Sequence, residues 1–540
     1  MKSRSILCLC FSLALSTSLA QAQGNTRVAP DLILTGGKVF TADSTRPWAE
    51  ALAIRGERIM AVGSNDEIKA LAGRGTREYP LGGRTVIPGI NDAHDHVGDL
   101  PFGVEIRTST APTPDPSSAQ ILDSLRAVAA RVPAGTWIHV TIGLKALDDS
   151  TLRRTALDNV APRNPVLLWS WWGHGAILNS AALLRLHIPE SAIDPLGGFY
   201  ERDAAGRLTG RLDEYAEWGA MRRMYSTIPE KEAIAGLKAF ADSSLRMGVT
   251  TVQDMAGFFD PAYTVRVFRE ARLPIRVRLI RWSIPNRTGR NESEWNGFAE
   301  HPAPRLTVSG RKWVLDGTPY ERFALMTHPY AGSSSNFGRL DFPVDTIRAI
   351  LADALKPGAA QLLLHVVGDS TPAVVLALME SLAPDSVWRA KRVRLEHARG
   401  IVGPLVGKAV RLGVVIAQPR PGSPIRTWLA AGIPLAYGSD MLRNPFFNMM
   451  QAVSSRPGTT SETITREQAV SVYTRGAAYA EFMEREKGTL APGMLADIAV
   501  LSQDIFTVAP AALPATTSVM TLVGGRVVRD VISPAPPAVR

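Results

Sequence analysis

Cysteine is almost absent from this chain of 540 residues: only Cys8 and Cys10 occur, and both lie within the first 22 residues. Those residues read as a signal peptide, because Lys2 and Arg4 precede a short apolar run and Ala20-Gln21-Ala22 fits a small-x-small cleavage site. A chain cleaved there contains no cysteine, which excludes disulfides, a cysteine nucleophile and a cysteine-ligated zinc site. Neither cysteine ends the apolar run, so no lipoprotein anchor is indicated.

Other signals are missing as well. Beyond residue 22 there is no apolar run long enough for a membrane span and no Gly-x-Ser-x-Gly motif of a serine hydrolase. Loss of Lys2 and Arg4 lowers the excess of basic over acidic residues from 10 to 8. No basic block carries interleaved aromatic residues, so nucleic-acid binding is not expected. We expect an exported protein, periplasmic or secreted, that has no membrane span after signal cleavage.

Short strands with tight glycine turns are predicted at both ends of the chain. "LILTGGKVF" and "ALAIRGERIMAVG" near the start have the same alternation of apolar runs and glycines as "GTLAPGMLADIAVLS" and "VMTLVGGRVV" near the end. The sequence predicts a small composite β-sandwich domain formed by residues 30–85 and 487–535.

The middle of the chain alternates between strand and helix patterns. The strand at "VIPGINDAHDH" is followed by seven more apolar segments, at 249–255, 275–282, 311–317, 361–369, 392–400, 413–420 and 434–440. Helical patterns such as "VDTIRAILADAL" separate several of them. Eight strands alternating with helices predict an α/β fold, a (β/α)8 TIM-type barrel over residues 86–486. The interval of about 99–230 is then an insertion after strand 1.

Histidine, lysine and carboxylate side chains lie at or near the ends of five of these strands. His94 and His96 are two residues apart on strand 1, so both imidazoles face the same side and could hold a metal. The later strands add Lys312, Asp316, His365, His397 and Asp440. Because barrel active sites are built at the carboxyl ends of the strands, we predict one shared site.

These segments together resemble the amidohydrolase superfamily, and within it amidohydrolase family 3, the YtcJ-like branch. "VIPGINDAHDHV" is similar to the metal-binding motif of strand 1, "LLHVVGD" and "RLEHA" to the ligand motifs of strands 5 and 6, and "AYGSD" to the motif of strand 8. "WWGHGAILNSAAL" at 171–183 resembles a segment whose histidine contacts substrate. The resemblance extends over nearly the whole chain after the leader.

The resemblance implies a ligand set and two catalytic residues. The implied metal ligands are His94, His96, Lys312, His365, His397 and Asp440, with Lys312 carbamylated and bridging. Asp440 is also the implied proton-transfer base, and His174 is implied at the substrate. Imidazole and carboxylate ligands suit one or two Zn²⁺ ions, with Mn²⁺, Co²⁺ or Fe²⁺ as alternatives.

The implied reaction is hydrolysis of an amide-like, non-peptide C–N bond in a small molecule. A divalent metal lowers the pKa of a bound water to about 7 and polarises a carbonyl, and Asp440 would move the proton to the leaving nitrogen. Simpler roles stay open: Lys312 as a plain hydrogen-bonding lysine, Asp440 as a turn cap, and His365 and His397 as core histidines.

Two other functions also stay open. One is an esterase or lactonase on the same metal centre, and the other is a catalytically silent binding or regulatory relative. The segment after strand 4 and the one between strands 7 and 8 differ from the usual family pattern, so the sequence does not specify the substrate. Assembly into a homo-oligomer is equally open.

Overall fold

The computed structural model describes residues 28–98, 102–111, 113–419, 422–455 and 462–532. The predicted signal peptide at 1–22, with both cysteines, lies outside the described residues. Within the described ranges, no helix combines the length and the apolar character needed to cross a membrane.

Eight parallel strands form the central sheet, and their spatial order follows their order along the chain. From the first to the eighth, these strands are Ile90–Asp95, Val249–Ala256, Arg276–Trp282, Leu306–Val314, Leu362–Val366, Arg394–His397, Val415–Ala417 and Leu435–Ala436. Two backbone hydrogen bonds join the last strand region to the first: the Ala93 amide donates to the Tyr437 carbonyl (3.0 Å) and the Asp440 amide donates to the His94 carbonyl (2.8 Å). The predicted (β/α)8 barrel is confirmed.

Helices separate most of the barrel strands. Helix Pro261–Ala271 is typical: Asp260 caps it by accepting from the Ala262 amide, and Val267 and Phe268 are buried on its apolar face. The other helices after barrel strands are Val344–Leu355, Thr371–Leu382, Asp385–Lys391, Pro404–Leu412, Ile425–Ala431, Pro445–Val453, Arg466–Ser471 and Ala477–Tyr479, with a π-helical turn at Val472–Gly476. The third strand is followed only by a 3₁₀ turn, Glu292–Trp295.

The two ends of the chain form two further sheets beside the barrel. A four-stranded sheet comprises Leu32–Thr35, Ala51–Arg55, Arg58–Gly63 and Arg77–Pro80. A six-stranded sheet comprises Lys38–Phe40, Trp48–Ala49, Thr85–Pro88, Ile498–Leu501, Ser518–Val523 and Arg526–Asp530. Buried side chains of both sheets, including Leu34, Leu52, Val86, Ile498 and Leu522, form one hydrophobic cluster. Helix Asn65–Lys69 and the 3₁₀ turn Pro510–Ala515 complete this region. That residues 30–85 and 487–535 form one composite β-sandwich domain stays a prediction.

The long interval between the first and second barrel strands carries its own sheet. Its six strands are Val104–Ile106, Ile138–Ile142, Val166–Ser170, Ala176–Leu178, Gly198–Arg202 and Leu208–Glu214. Its helices are Ser118–Ala129, Leu144–Asp148, Arg154–Val160, Ser180–Arg185, Tyr215–Tyr225 and Glu230–Arg246. The Val314 amide, at the end of the fourth barrel strand, donates to the Tyr215 hydroxyl (2.8 Å). This bond holds the start of helix Tyr215–Tyr225 against the carboxyl end of the barrel.

Candidate active site

Seven of the eight side chains predicted for the site line one cavity at the carboxyl ends of the barrel strands. They are His94, His96, His174, Lys312, His365, His397 and Asp440. Six come from strands 1, 4, 5, 6 and 8 of the barrel, and His174 comes from the insertion. The structure therefore brings together all the residues predicted for the site except Asp316, while the role of each one in binding a metal stays a prediction.

The first strand and the end of the eighth meet at the centre of this cavity. The Nε2 atoms of His94 and His96 lie 3.4 Å apart. Asp440 Oδ1 lies 3.5 Å from His94 Nε2 and 3.6 Å from His96 Nε2. The contact follows from the strand geometry, because alternate residues share a face and the closing hydrogen bond of the barrel runs between the backbones of His94 and Asp440.

The other histidines extend this cluster across the barrel mouth. The ring centroids of His94 and His397 are 5.4 Å apart, those of His397 and His365 are 4.7 Å apart, and those of His365 and His174 are 5.0 Å apart. Lys312 is 1 % exposed and lines the same cavity.

The donor set fits a divalent cation. The ligand atoms of His94, His397 and Asp440 all lie within 4.8 Å of one another, and imidazole with carboxylate is a usual ligand combination for Zn²⁺. Burial and the nearby Lys312 ammonium lower the pKa of His94, and burial with the neighbouring His94 lowers the pKa of His96 well below its usual value. A lowered pKa favours the neutral imidazole, which is the form that ligates a metal.

Glu396, which the sequence did not single out, orients His94 from the side away from Asp440. Its Oε2 accepts from His94 Nδ1 at 2.6 Å, and its two oxygens accept from Arg394 at 3.0 and 3.1 Å. Burial opposes the charged carboxylate, but Arg394 and His94 outweigh it and lower the pKa of Glu396. Glu396 lies within the quoted "RLEHA" motif, but its partner is 302 residues away, so local pattern gave no reason to pair them.

His174 is held by a carboxylate in the same manner. Its Nδ1 lies 3.1 and 3.0 Å from the two oxygens of Glu214. Glu321 is close by, because ligand atoms of His174, Glu214 and Glu321 also lie within 4.8 Å of one another, and Trp172 Nε1 donates to Glu321 (2.8 Å). Burial, and then repulsion from Glu321, raise the pKa of Glu214 well above its usual value. Neither glutamate was predicted from the sequence, because both lie in segments without a recognisable motif.

Two predicted ligands sit on strained backbone. His397 has φ of 70° and Asp440 has φ of 45°, both in the left-handed region that non-glycine residues seldom occupy. Each such residue costs on the order of 1–3 kcal/mol and persists only where its surroundings impose it. Here the strand ends turn sharply at these residues, which directs both side chains into the cavity.

Asp316, expected at the mouth with Lys312, serves a different purpose. It is not among the residues that line the cavity. Its carboxylate accepts from the amides of Val367 (2.9 Å) and Gly368 (2.8 Å) and from the Thr371 hydroxyl (2.6 Å). It therefore ties the segment after the fourth strand to the loop after the fifth, the strand that carries His365.

A barrel whose strand ends gather imidazole, lysine and carboxylate groups around one cavity defines the class of metal-dependent barrel hydrolases. The chain belongs to the Amidohydrolase family, whose model matches residues 77–529. The family predicted from the sequence motifs is thus confirmed.

Comparisons with single proteins agree with this assignment. The chain is 28 % identical over 531 residues to Protein LONG AFTER FAR-RED 3 of Arabidopsis thaliana, covering 88 % of each chain. It is 24 % identical to the Putative amidohydrolase YtcJ of Bacillus subtilis, covering 92 % of this chain and 98 % of that one. It is also 24 % identical to the N-substituted formamide deformylase of Arthrobacter pascens, covering 88 % and 94 %.

A solved structure has the same fold. It is that of an uncharacterised metal-dependent hydrolase from Pyrococcus horikoshii OT3, with a TM-score of 0.67 and 19 % sequence identity. The match covers 89 % of this chain and 99 % of that one.

Proposed function

We propose that the protein is a metal-dependent amidohydrolase that cleaves an amide-like C–N bond of a small molecule. The observation that carries the proposal is the meeting of His94, His96, Lys312, His365, His397 and Asp440, from five separate strands, around one cavity. Membership of the Amidohydrolase family supports it. So does the relative from Arthrobacter pascens, whose name describes hydrolysis of a substituted formamide.

Each residue has a distinct task in this proposal. The four barrel histidines and Asp440 would hold one or two divalent ions, with Zn²⁺ preferred and Mn²⁺, Co²⁺ or Fe²⁺ as alternatives. A carbamylated Lys312 would supply two further anionic oxygens. When bound, the metal polarises the scissile carbonyl and makes water a nucleophile near neutral pH.

Asp440 and His174 would complete the reaction. Asp440 accepts a proton from the attacking water and returns it to the leaving nitrogen. His174, fixed through Nδ1 by Glu214, would contact the carbonyl oxygen of the substrate. His174 and Glu214 are both buried, which keeps bulk water from competing for the hydrogen bond between them.

The test combines metal analysis with a substrate panel. Purified protein is expected to contain stoichiometric divalent metal and to hydrolyse members of a panel of N-substituted formamides, other small amides and matched esters. Asp440→Asn is expected to keep the fold and to lose about 10²- to 10⁴-fold in kcat. Asp242→Asn, on an exposed helical position, is the matched control and is expected to behave as wild type.

The outcomes separate the alternatives. Turnover of esters without amides would favour the esterase or lactonase. Metal-free protein without turnover would favour a silent binding or regulatory relative. Asp440→Asn hydrolysing as fast as wild type would contradict the assigned base. We further propose that the protein acts outside the cytoplasm, on the basis of the leader at residues 1–22 alone.

A further inference from the structure

The cavity has a second lining that the proposed chemistry does not use. Beyond the histidines, Lys312 and Asp440, its walls are mainly aromatic or apolar: they include Trp169, Trp172, Trp218, Met221, Phe258 and Trp282. A single glutamate, Glu217, interrupts this apolar surface. Burying a carboxyl group away from polar partners costs free energy, so a glutamate at this position suggests a functional role.

Glu217 is only half satisfied by the protein. It lies in the first turn of helix Tyr215–Tyr225 and is 0 % exposed. Its Oε1 accepts from Trp169 Nε1 at 2.6 Å. Its Oε2 is buried and has no hydrogen-bond partner among the described residues. Glu217 therefore adds to the cavity lining a carboxyl group with one acceptor that the described residues leave unsatisfied.

Among the described residues, no cationic side chain acts on the Glu217 carboxyl. Burial raises the pKa of Glu217 well above its usual value; the Trp169 hydrogen bond opposes this shift, and the nearby carboxylates Asp213 and Glu321 add to it. Arg222, on the same helix, is engaged elsewhere: it donates to Glu294 (2.7 Å) and to the backbone carbonyls of Gly257 and Trp282. A cation that entered the cavity would thus meet an acid whose hydrogen-bond donor among the described residues is the neutral indole of Trp169.

The aromatic rings join Glu217 to the predicted metal centre. Trp218, the next residue on the helix, lies 4.9 Å from Trp282 between ring centroids. Trp282 in turn lies 5.5 Å from His96. On the Glu217 side, Trp169 packs at 6.1 Å from Phe258. Faces of tryptophan and phenylalanine attract cations, most strongly when water is excluded.

From this arrangement we propose that the substrate carries an ammonium group, which Glu217 and the surrounding tryptophans bind while the scissile amide reaches the histidines. The inference rests on the proposed amidohydrolase function and narrows it to amides of small molecules with a second, protonated amine. An uncharged hydroxyl or methyl group at that position would gain neither the ion pair nor the cation–π contact.

A binding experiment tests the ammonium site without any turnover. The probes are n-butylammonium and its uncharged counterpart n-butanol, added to the metal-containing protein at pH 7 and followed by tryptophan fluorescence. Wild type is expected to bind n-butylammonium about 10- to 100-fold more tightly than n-butanol. Glu217→Gln is expected to lose that preference, with n-butanol affinity changed less than about threefold. Glu270→Gln, at an exposed glutamate paired with Arg269, is the matched control.

Equal affinity of wild type for the two probes would overturn the inference, as would a preference that survives in Glu217→Gln. The second outcome would mean that the amine binds elsewhere, for example at the metal. Because the comparison of the two probes on wild type needs no variant, the test stands even if Glu217→Gln does not fold.

Kinetics then separates this inference from the proposed function. The substrates are monoacetylated short diamines and N-acetyl alkylamines of equal length. We expect kcat/KM to favour the diamine derivatives in wild type and Glu217→Gln to remove that preference by about 10- to 100-fold. Hydrolysis that favours the uncharged amides would refute the ammonium site alone. Selective n-butylammonium binding without hydrolysis of any amide would refute the amidohydrolase proposal alone.

Discussion

Replacement of Glu396 by glutamine is expected to weaken both the fold and the binding of metal. Glu396 and Arg394 are both 0 % exposed, and the carboxylate accepts two hydrogen bonds from the guanidinium and one from His94. Glutamine keeps one acceptor oxygen but loses the negative charge and turns an NH₂ group toward one of its donors. Arg394 would then be a buried cation without a countercharge.

The size of the effect follows from what remains around Arg394. Removing one member of a buried ion pair costs about 3–5 kcal/mol. Arg394 still donates to the Gln253 side chain (2.6 Å) and the Ala93 carbonyl (2.7 Å), so we expect the lower end, about 3 kcal/mol. Loss of the acceptor that fixes His94 is expected to weaken metal binding by about 10- to 100-fold.

Two measurements check these values. Urea unfolding of metal-free protein gives the change in the free energy of unfolding, and competition with a chelator gives metal affinity. Glu270→Gln is the matched control, and a change below about 0.5 kcal/mol is expected for an exposed pair of this kind. If Glu396→Gln unfolds within about 1 kcal/mol of wild type and binds metal equally well, the orienting role assigned to Glu396 is wrong.

Three further predictions concern other parts of the chain. Burial raises the pKa of Asp316 to about 6, so its contribution to the free energy of unfolding is greatest below its unfolded pKa and is lost as the pH rises through 6. Asp316→Asn should therefore flatten the decline of stability between about pH 4 and 6, as measured by urea unfolding at each pH. An unchanged slope would contradict the raised pKa. If Lys312 is carbamylated, activity removed by chelation should return when Zn²⁺ is added in bicarbonate buffer but not in CO₂-depleted buffer. Lys312→Met should not recover activity in either buffer. Equal recovery of wild type in both buffers would favour an unmodified lysine. Mass spectrometry of the protein recovered from the periplasm should give an N-terminus at Gln23, and an intact Met1 there would exclude cleavage after Ala22.

The barrel was predictable because its strands are short apolar runs between glycine-rich or helical segments, and because the parallel order repeats eight times. The ligand side chains were predictable for a related reason: His94, His397 and Asp440 each lie at a strand end, within a motif that can be read locally. Parallel strands place such ends at one edge whatever their distance along the chain.

The residues that orient the site were not predictable in the same way. Glu396, on the sixth strand, pairs with His94, on the first, across the barrel interior. Glu217 reaches the cavity from a helix of the insertion that a Tyr215 hydrogen bond joins to the fourth strand. These contacts depend on how the insertion and the barrel interior pack, which leaves no periodicity in the sequence. The prediction that Asp316 lines the cavity was wrong because Asp316 lies beyond the end of the fourth strand. There, closeness to Lys312 along the chain does not determine where the side chain points.

The hydrogen bond from the Asp440 amide to the His94 carbonyl lies where the eighth strand region closes the barrel against the first. The barrel therefore closes at the candidate catalytic centre itself. During synthesis, the first and eighth strands can therefore close the barrel only after residue 440 has been made. The Asp440 carboxylate joins the histidines of the site at the same point. A chain that ends before residue 440 would lack both the closed barrel and the Asp440 carboxylate, so we expect such truncated chains to show no hydrolase activity.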